Sequence, residues 1–243
     1  MHIVCVLSLM ICQKEREMPY NSFSVLSHTS KMPCPSTSLD AELCNTGSKL
    51  ALIKGSVCNE CYARKGHYKQ GNVKHSMSKR LEFMQDPDFV QRMTAILGPL
   101  RLFRWFDSGD IQSEKMGNDI LDVIEATPWC EHWLPSKEYK WWHSILKTRK
   151  LPPNVALRLS TPMDDTRPLK GFDLTTTTYT YEDSPAATGH MCPAHIHKET
   201  TGKYECGECR ACWDTSIPNI AYPKRGKRLP KRLHPSNTCD VET

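Results

Sequence analysis

Residues 100–110 read LRLFRWFDSGD. Leu100 to Phe106 is apolar and aromatic enough for a buried strand, and Asp107-Ser108-Gly109-Asp110 reads as the polar turn that ends it. Ser113 then stands as the N-cap of a helix whose apolar stripe is Met116, Ile120, Leu121 and Ile124. The same unit recurs downstream. WCEHWL (129–134) reads as a second strand, ending at Pro135-Ser136-Lys137, and a helix carrying Tyr139, Trp142, Ile145 and Leu146 follows it. VALRL (155–159) reads as a third strand, ending at Ser160-Thr161-Pro162, and the β-branched run LTTTTYTY (174–181) as a fourth.

Upstream, Val73, Met77, Leu81 and Met84 lie at helical spacing. Asp86-Pro87 restarts the chain into a second helical stripe of Phe89, Val90, Met93, Ile96 and Leu97. Strands alternating with helices predict an α/β fold: a partial (βα) barrel or an open parallel sheet, with cysteine-rich irregular segments at both ends. In such folds the loops leaving the carboxyl ends of the strands build the site. That makes Asp107, Asp110 and Lys137 the candidate catalytic residues. The competing role for the two carboxylates is capping of backbone donors around a left-handed Gly109. Arg158, inside the third strand, reads as a structural ion-pair partner.

The chain has 243 residues and a net charge of +5, with Lys224, Arg225, Lys227, Arg228, Lys231 and Arg232 concentrated near one end. The body is therefore near neutral, not a polycation that coats nucleic acid. Three zones follow: a leader at 1–21, one cysteine-rich α/β domain at 22–222, and a basic tail at 223–243. The apolar start of the leader is too short to span a membrane and lacks the basic flank of a signal peptide. Met18 is an alternative start. Nucleic acid is a possible partner through the tail, a small molecule or redox partner at the strand ends, and a membrane is not expected.

Eight of the twelve cysteines fall into two groups with a shared spacing. Cys34, Cys44, Cys58 and Cys61 form one, with thirteen residues between Cys44 and the Cys58/Cys61 pair. Cys192, Cys206, Cys209 and Cys212 form the other, with the same interval before a CxxCxxC run. Thiolates drawn together repel unless a cation sits among them. A chain this long needs no disulfide staples, so metal is the expectation. CxxCxxC suits a [4Fe–4S] cluster, with Cys192 as the fourth ligand, and the first group supplies a second metal or cluster. Zinc is the alternative, on four sulfurs or on three with His190, His195 or His197. Cys130 reads as a packed core thiol; Cys5, Cys12 and Cys239 have no matching neighbours.

The ordered segments KMPCPS (31–36), VCNECYARKGHY (57–68), RWFDSGDIQS (104–113), CGECRACW (206–213) and IAYPKRG (220–226) resemble the phage family called gene product 88, over roughly residues 22–226. The resemblance implies a phage origin, expression in the host cell cytoplasm, and an iron–sulfur protein of α/β build. CxxCYA at 58–63 is also similar to the corresponding stretch of radical S-adenosylmethionine barrels, though without their CxxxCxxC spacing.

Overall fold

The computed structural model describes residues 24–224, apart from the side chain of His195. The leader, most of the basic tail, and Cys5, Cys12 and Cys239 lie outside the described residues. Six strands form one all-parallel sheet that curls into a half-barrel. They are β1 (Leu102–Arg104), β2 (Glu131–Ser136), β3 (Val155–Ser160), β4 (Thr175–Tyr179), β5 (His190–Met191) and β6 (Asn219–Pro223). Their spatial order is β1-β2-β3-β4-β6-β5, so β6 enters between β4 and β5. The helices are α1 (Asn45–Leu50), α2 (Gly71–Gln85), α3 (Phe89–Leu97), α4 (Glu114–Glu125), α5 (Tyr139–Ile145) and α6 (Ala194–Thr201). Among the described residues no helix is long and apolar enough to cross a membrane.

The expected strand–helix rhythm is present, with shifted edges. The second strand begins two residues later than its apolar pattern suggests and takes in Pro135 and Ser136. Strand β5 has two residues, too few to show any period. Ser113 caps α4, its side chain accepting from Met116 N.

Side chains alternate across a sheet, and parallel register extends each alternation to the next strand. Phe103, Leu134, Val155, Leu157 and Leu159 fall on one face and pack against Met93, Leu97, Ile120, Ile124 and Trp142 of the helices. On the opposite face the register aligns Arg104 with Trp133, then Ala156 and Arg158, Ser160 with Thr176, and Ile220 with His190. Tyr222 lies two residues beyond Ile220 and shares that face. Residues 192–217 pack over this second face, where Trp213 meets Trp133 at 5.4 Å between ring centroids.

His132 is the polar exception on the helix side, fully buried. Trp105 Nε1–H donates to its Nδ1 at 3.3 Å, so its proton sits on Nε2, which faces Thr127 Oγ1 at 3.0 Å. Burial pushes its pKa down to about 3 from 6.5, so the folded protein keeps it neutral. The unfolded chain takes up a proton near pH 6.5, so this contribution to stability is complete above that value. It is lost as the pH falls from 6.5 towards 3. A His132→Gln variant should lose less of its stability across that window than the wild type, as urea midpoints measured against pH will show.

Candidate functional site

Before β1, residues 35–39 form an extra edge. Arg104 N donates to Pro35 O, Thr37 N to Arg104 O, Asp107 N to Thr37 O and Leu39 N to Ser108 O. Ser36 bridges Arg104 in parallel. An extended segment advances about 3.3 Å per residue, so this edge carries the chain from Cys34 up to the carboxyl end of the sheet. Cys34 and Cys44 are thereby separated. Cys34 is buried beside Trp133 and Trp213, with Cys212 and Tyr222 packed against them. Its surroundings belong to the C-terminal thiols, and Lys31 O accepts from Cys206 N at 3.0 Å.

Cys44, Cys58 and Cys61 do come together. Burial is the main cause of the raised pKa of Cys44, and Asp110, Cys58 and Cys61 each add to the cost of ionising it. A Cβ placed on Gly47 would sit 2.9 Å from Cys44 Cβ and 3.6 and 3.7 Å from the sulfurs of Cys44 and Cys58, so glycine there lets α1 lie close against the pair. All three sequence-predicted loops border this trio. Glu138, next to Lys137, accepts from Thr46 N (2.8 Å), Thr46 Oγ1 (2.7 Å) and Asn45 Nδ2, and so holds the start of α1 behind Cys44. Pro162 O accepts from Val57 N at 3.0 Å, which fixes the segment before Cys58. Tyr62 Oη donates to Asp107 O. At the far side Lys224 joins Glu60 (3.0 Å) and Asp164 (2.5 Å), tying the CNEC turn to the end of β6.

The candidate catalytic residues differ in what they do there. Asp110 is saturated: Oδ1 accepts from Ser136 Oγ and Ile111 N, and Oδ2 from Lys137 N, all between 2.7 and 2.9 Å. It latches the first strand-end loop to the second. Burial pushes its pKa up to about 7, against the donors that favour the carboxylate. Asp107 Oδ2 accepts from Ser27 and Ser36, while its buried Oδ1 has no partner among the described residues. Lys137 gives its N–H to Asp110, and its charge lowers the cost of a thiolate at Cys58.

Gly109 makes this loop possible. Its φ is 81°, and an added Cβ would stand 2.6 Å from Leu39 Cβ and 2.8 Å from Leu39 O. Gly109→Ala should cost about 2–4 kcal/mol, the sum of left-handed strain and overpacking against backbone. A lowered urea midpoint with an unchanged slope is the expected reading.

The second thiol group lies on the opposite face of the sheet from the main core. Cys192, Cys206, Cys209 and Cys212 line one pocket with His190, Trp213 and Ile220. Cys209 Sγ lies 3.3 Å from His190 Nε2, and Cys212 Sγ 3.1 Å from Tyr222 Oη. Burial pushes the Cys212 pKa up to about 12; Cys192 and Cys206 add to the rise, while the Tyr222 hydrogen bond and Arg104 oppose it. His197 turns away, its Nδ1 on Glu205 O at 2.9 Å. Arg158, expected to pair with a carboxylate, instead spreads over four backbone carbonyls of this segment. Its Nε donates to Cys212 O (2.9 Å), Nη1 to Ile217 O (2.9 Å), and Nη2 to Ala211 O (3.1 Å) and Asp214 O (2.6 Å).

As they stand, no group of three or more His, Cys, Asp or Glu among the described residues has the close spacing that could hold a metal ion. The donor sets themselves are soft and thiol-rich, the chemistry that iron–sulfur clusters use, and a cubic cluster spreads its four sulfurs wider than one ion does. Tyr222, Arg104 and Glu138 were not singled out by the sequence. The signal for Arg104 was a cation inside an aromatic strand, on the same face as Trp133.

No curated protein and no solved structure matches the chain. A family model described as gene product 88 matches residues 10–215, more than half of the length, and the chain belongs to the gene product 88 family.

Proposed function

We propose that this is an iron–sulfur protein with a radical or redox activity at the carboxyl ends of its strands, working in the host cytoplasm of a phage. The observation that carries the reading is the enclosure of Cys192, Cys206, Cys209 and Cys212 in one pocket, with their loop fixed from beneath by Arg158. These four residues would hold one [4Fe–4S] cluster. Cys44, Cys58 and Cys61 would hold the second, and three thiolates on a cubic cluster leave one iron free for a small-molecule ligand. Clusters of this kind supply one-electron chemistry when bound. The chain's part is to present that ligand to the three strand-end loops. Glu138 and Asp110 fix the loops, and Lys137 adds positive charge beside Cys58.

Zinc, on four of these sulfurs or on three with His190, is the alternative that the same donors allow. Electron paramagnetic resonance of anaerobically purified protein reduced with dithionite tests the proposal. Two reduced-cluster signals are expected, one of them altered by added S-adenosylmethionine or cyanide. A silent spectrum after reduction would overturn the reading.

A further inference from the structure

We infer that Arg104 is the counter-cation of the C-terminal cluster and sets its reduction potential. The inference rests on the iron–sulfur reading above and concerns what the chain adds to it.

Four thiolates outweigh the positive charge of a [4Fe–4S] core, so such a site is a buried anion. A buried anion needs a fixed positive charge near it. Two arginines occupy this face of the sheet, and they are used differently. Arg158 spends its donors on four carbonyls and so builds the loop. Arg104 has almost nothing to bind. Its guanidinium lies 4.3 Å above the Trp133 ring. Among the described residues Nη1 reaches only the thioether of Met32, at 3.1 Å, a weak acceptor. Its Nε is buried with no hydrogen-bond partner, and the residue makes no ion pair among the described residues.

The Trp133 ring that holds Arg104 packs in one cluster with Cys34, Cys212 and Tyr222, and the charge of Arg104 is felt by Tyr62, Asp107, Tyr222, Cys212, Cys206 and Cys34. Asp107 gives its Oδ2 to two serines, and although its buried Oδ1 is unpartnered among the described residues, it makes no ion pair with Arg104. Among these neighbours, the thiols are the ones that metal binding converts to anions. A partly satisfied guanidinium held by an aromatic ring beside CxxCxxC thus has its partner in the cluster.

The redox consequence is direct. One electron from dithionite makes the cluster one unit more negative, and a nearby cation stabilises that state. Arg104→Met should lower the potential, shifting the reduced-to-oxidised ratio at least tenfold towards oxidised at a fixed poise. For a one-electron couple that is about 59 mV. Arg104→Lys keeps the charge and should stay within threefold of wild type.

The test is an anaerobic potentiometric titration of all three proteins, read on the resonance signal that Cys212→Ala removes. Loss of the cluster in Arg104→Met with retention in Arg104→Lys also supports the inference. An unchanged potential in Arg104→Met, or loss of the cluster from both variants, overturns it and leaves the iron–sulfur reading intact. A wild type free of iron overturns both.

Discussion

Replacing Cys212 by alanine is expected to remove the iron and sulfide of one cluster, and replacing Cys34 by serine is expected to remove none. The two positions are close together, which makes the contrast informative. Cys212 shares a pocket with three further thiols and accepts or donates a hydrogen bond at Tyr222. Cys34 packs into the Trp133–Trp213 cluster and is separated from the Cys44 trio by the extended segment along β1. Cys34→Ser should therefore cost stability alone, on the order of 1–2 kcal/mol for a hydroxyl in an apolar site. Cys44→Ser should remove the other cluster, because the trio has no spare thiol. Iron and sulfide analysis of the three variants checks the assignment. Loss of iron in Cys34→Ser would return that residue to the ligands.

Arg158→Met should be the most damaging single change outside the thiols. It leaves the carbonyls of Cys212 and Ile217 without a donor among the described residues, and leaves those of Ala211 and Asp214 with only the long bonds from Asp214 N and Ile217 N, at 3.3 Å each. A buried acceptor left unmade costs about 1–3 kcal/mol. With partial relaxation, the sum is on the order of 4 kcal/mol. Arg158→Lys should rescue little, since a single ammonium cannot fan across four acceptors as a planar guanidinium does. Both variants should also lose the C-terminal cluster faster under a chelator. Chemical unfolding followed by far-ultraviolet circular dichroism checks the first effect, and the decay of visible absorption the second.

The fold was legible where chemistry is local. Apolar runs closed by DSGD, PSK and STP marked strands, and helical stripes marked the helices between them. The final two strands were not legible. His190–Met191 is too short to show a period, and β6 crosses to lie between β4 and β5, which depends on pairings remote in sequence. The repeated thirteen-residue spacing brought Cys44 near Cys58 and Cys61 and Cys192 near Cys206 and Cys209, as spacing alone suggested. It could not place Cys34, because that position depends on which way residues 35–39 run beside β1. Asp110 was legible as a polar residue at a strand end, and its role as a latch was one of the two readings open. Arg158 was readable as structural; its four carbonyl partners, fifty or more residues away, were not.

The most direct test of the account is the content of iron, acid-labile sulfide and zinc per chain in protein purified without air. Iron and sulfide in equal amounts, about eight of each for two filled clusters, with zinc absent, are the expected result. Stoichiometric zinc with no sulfide would contradict it.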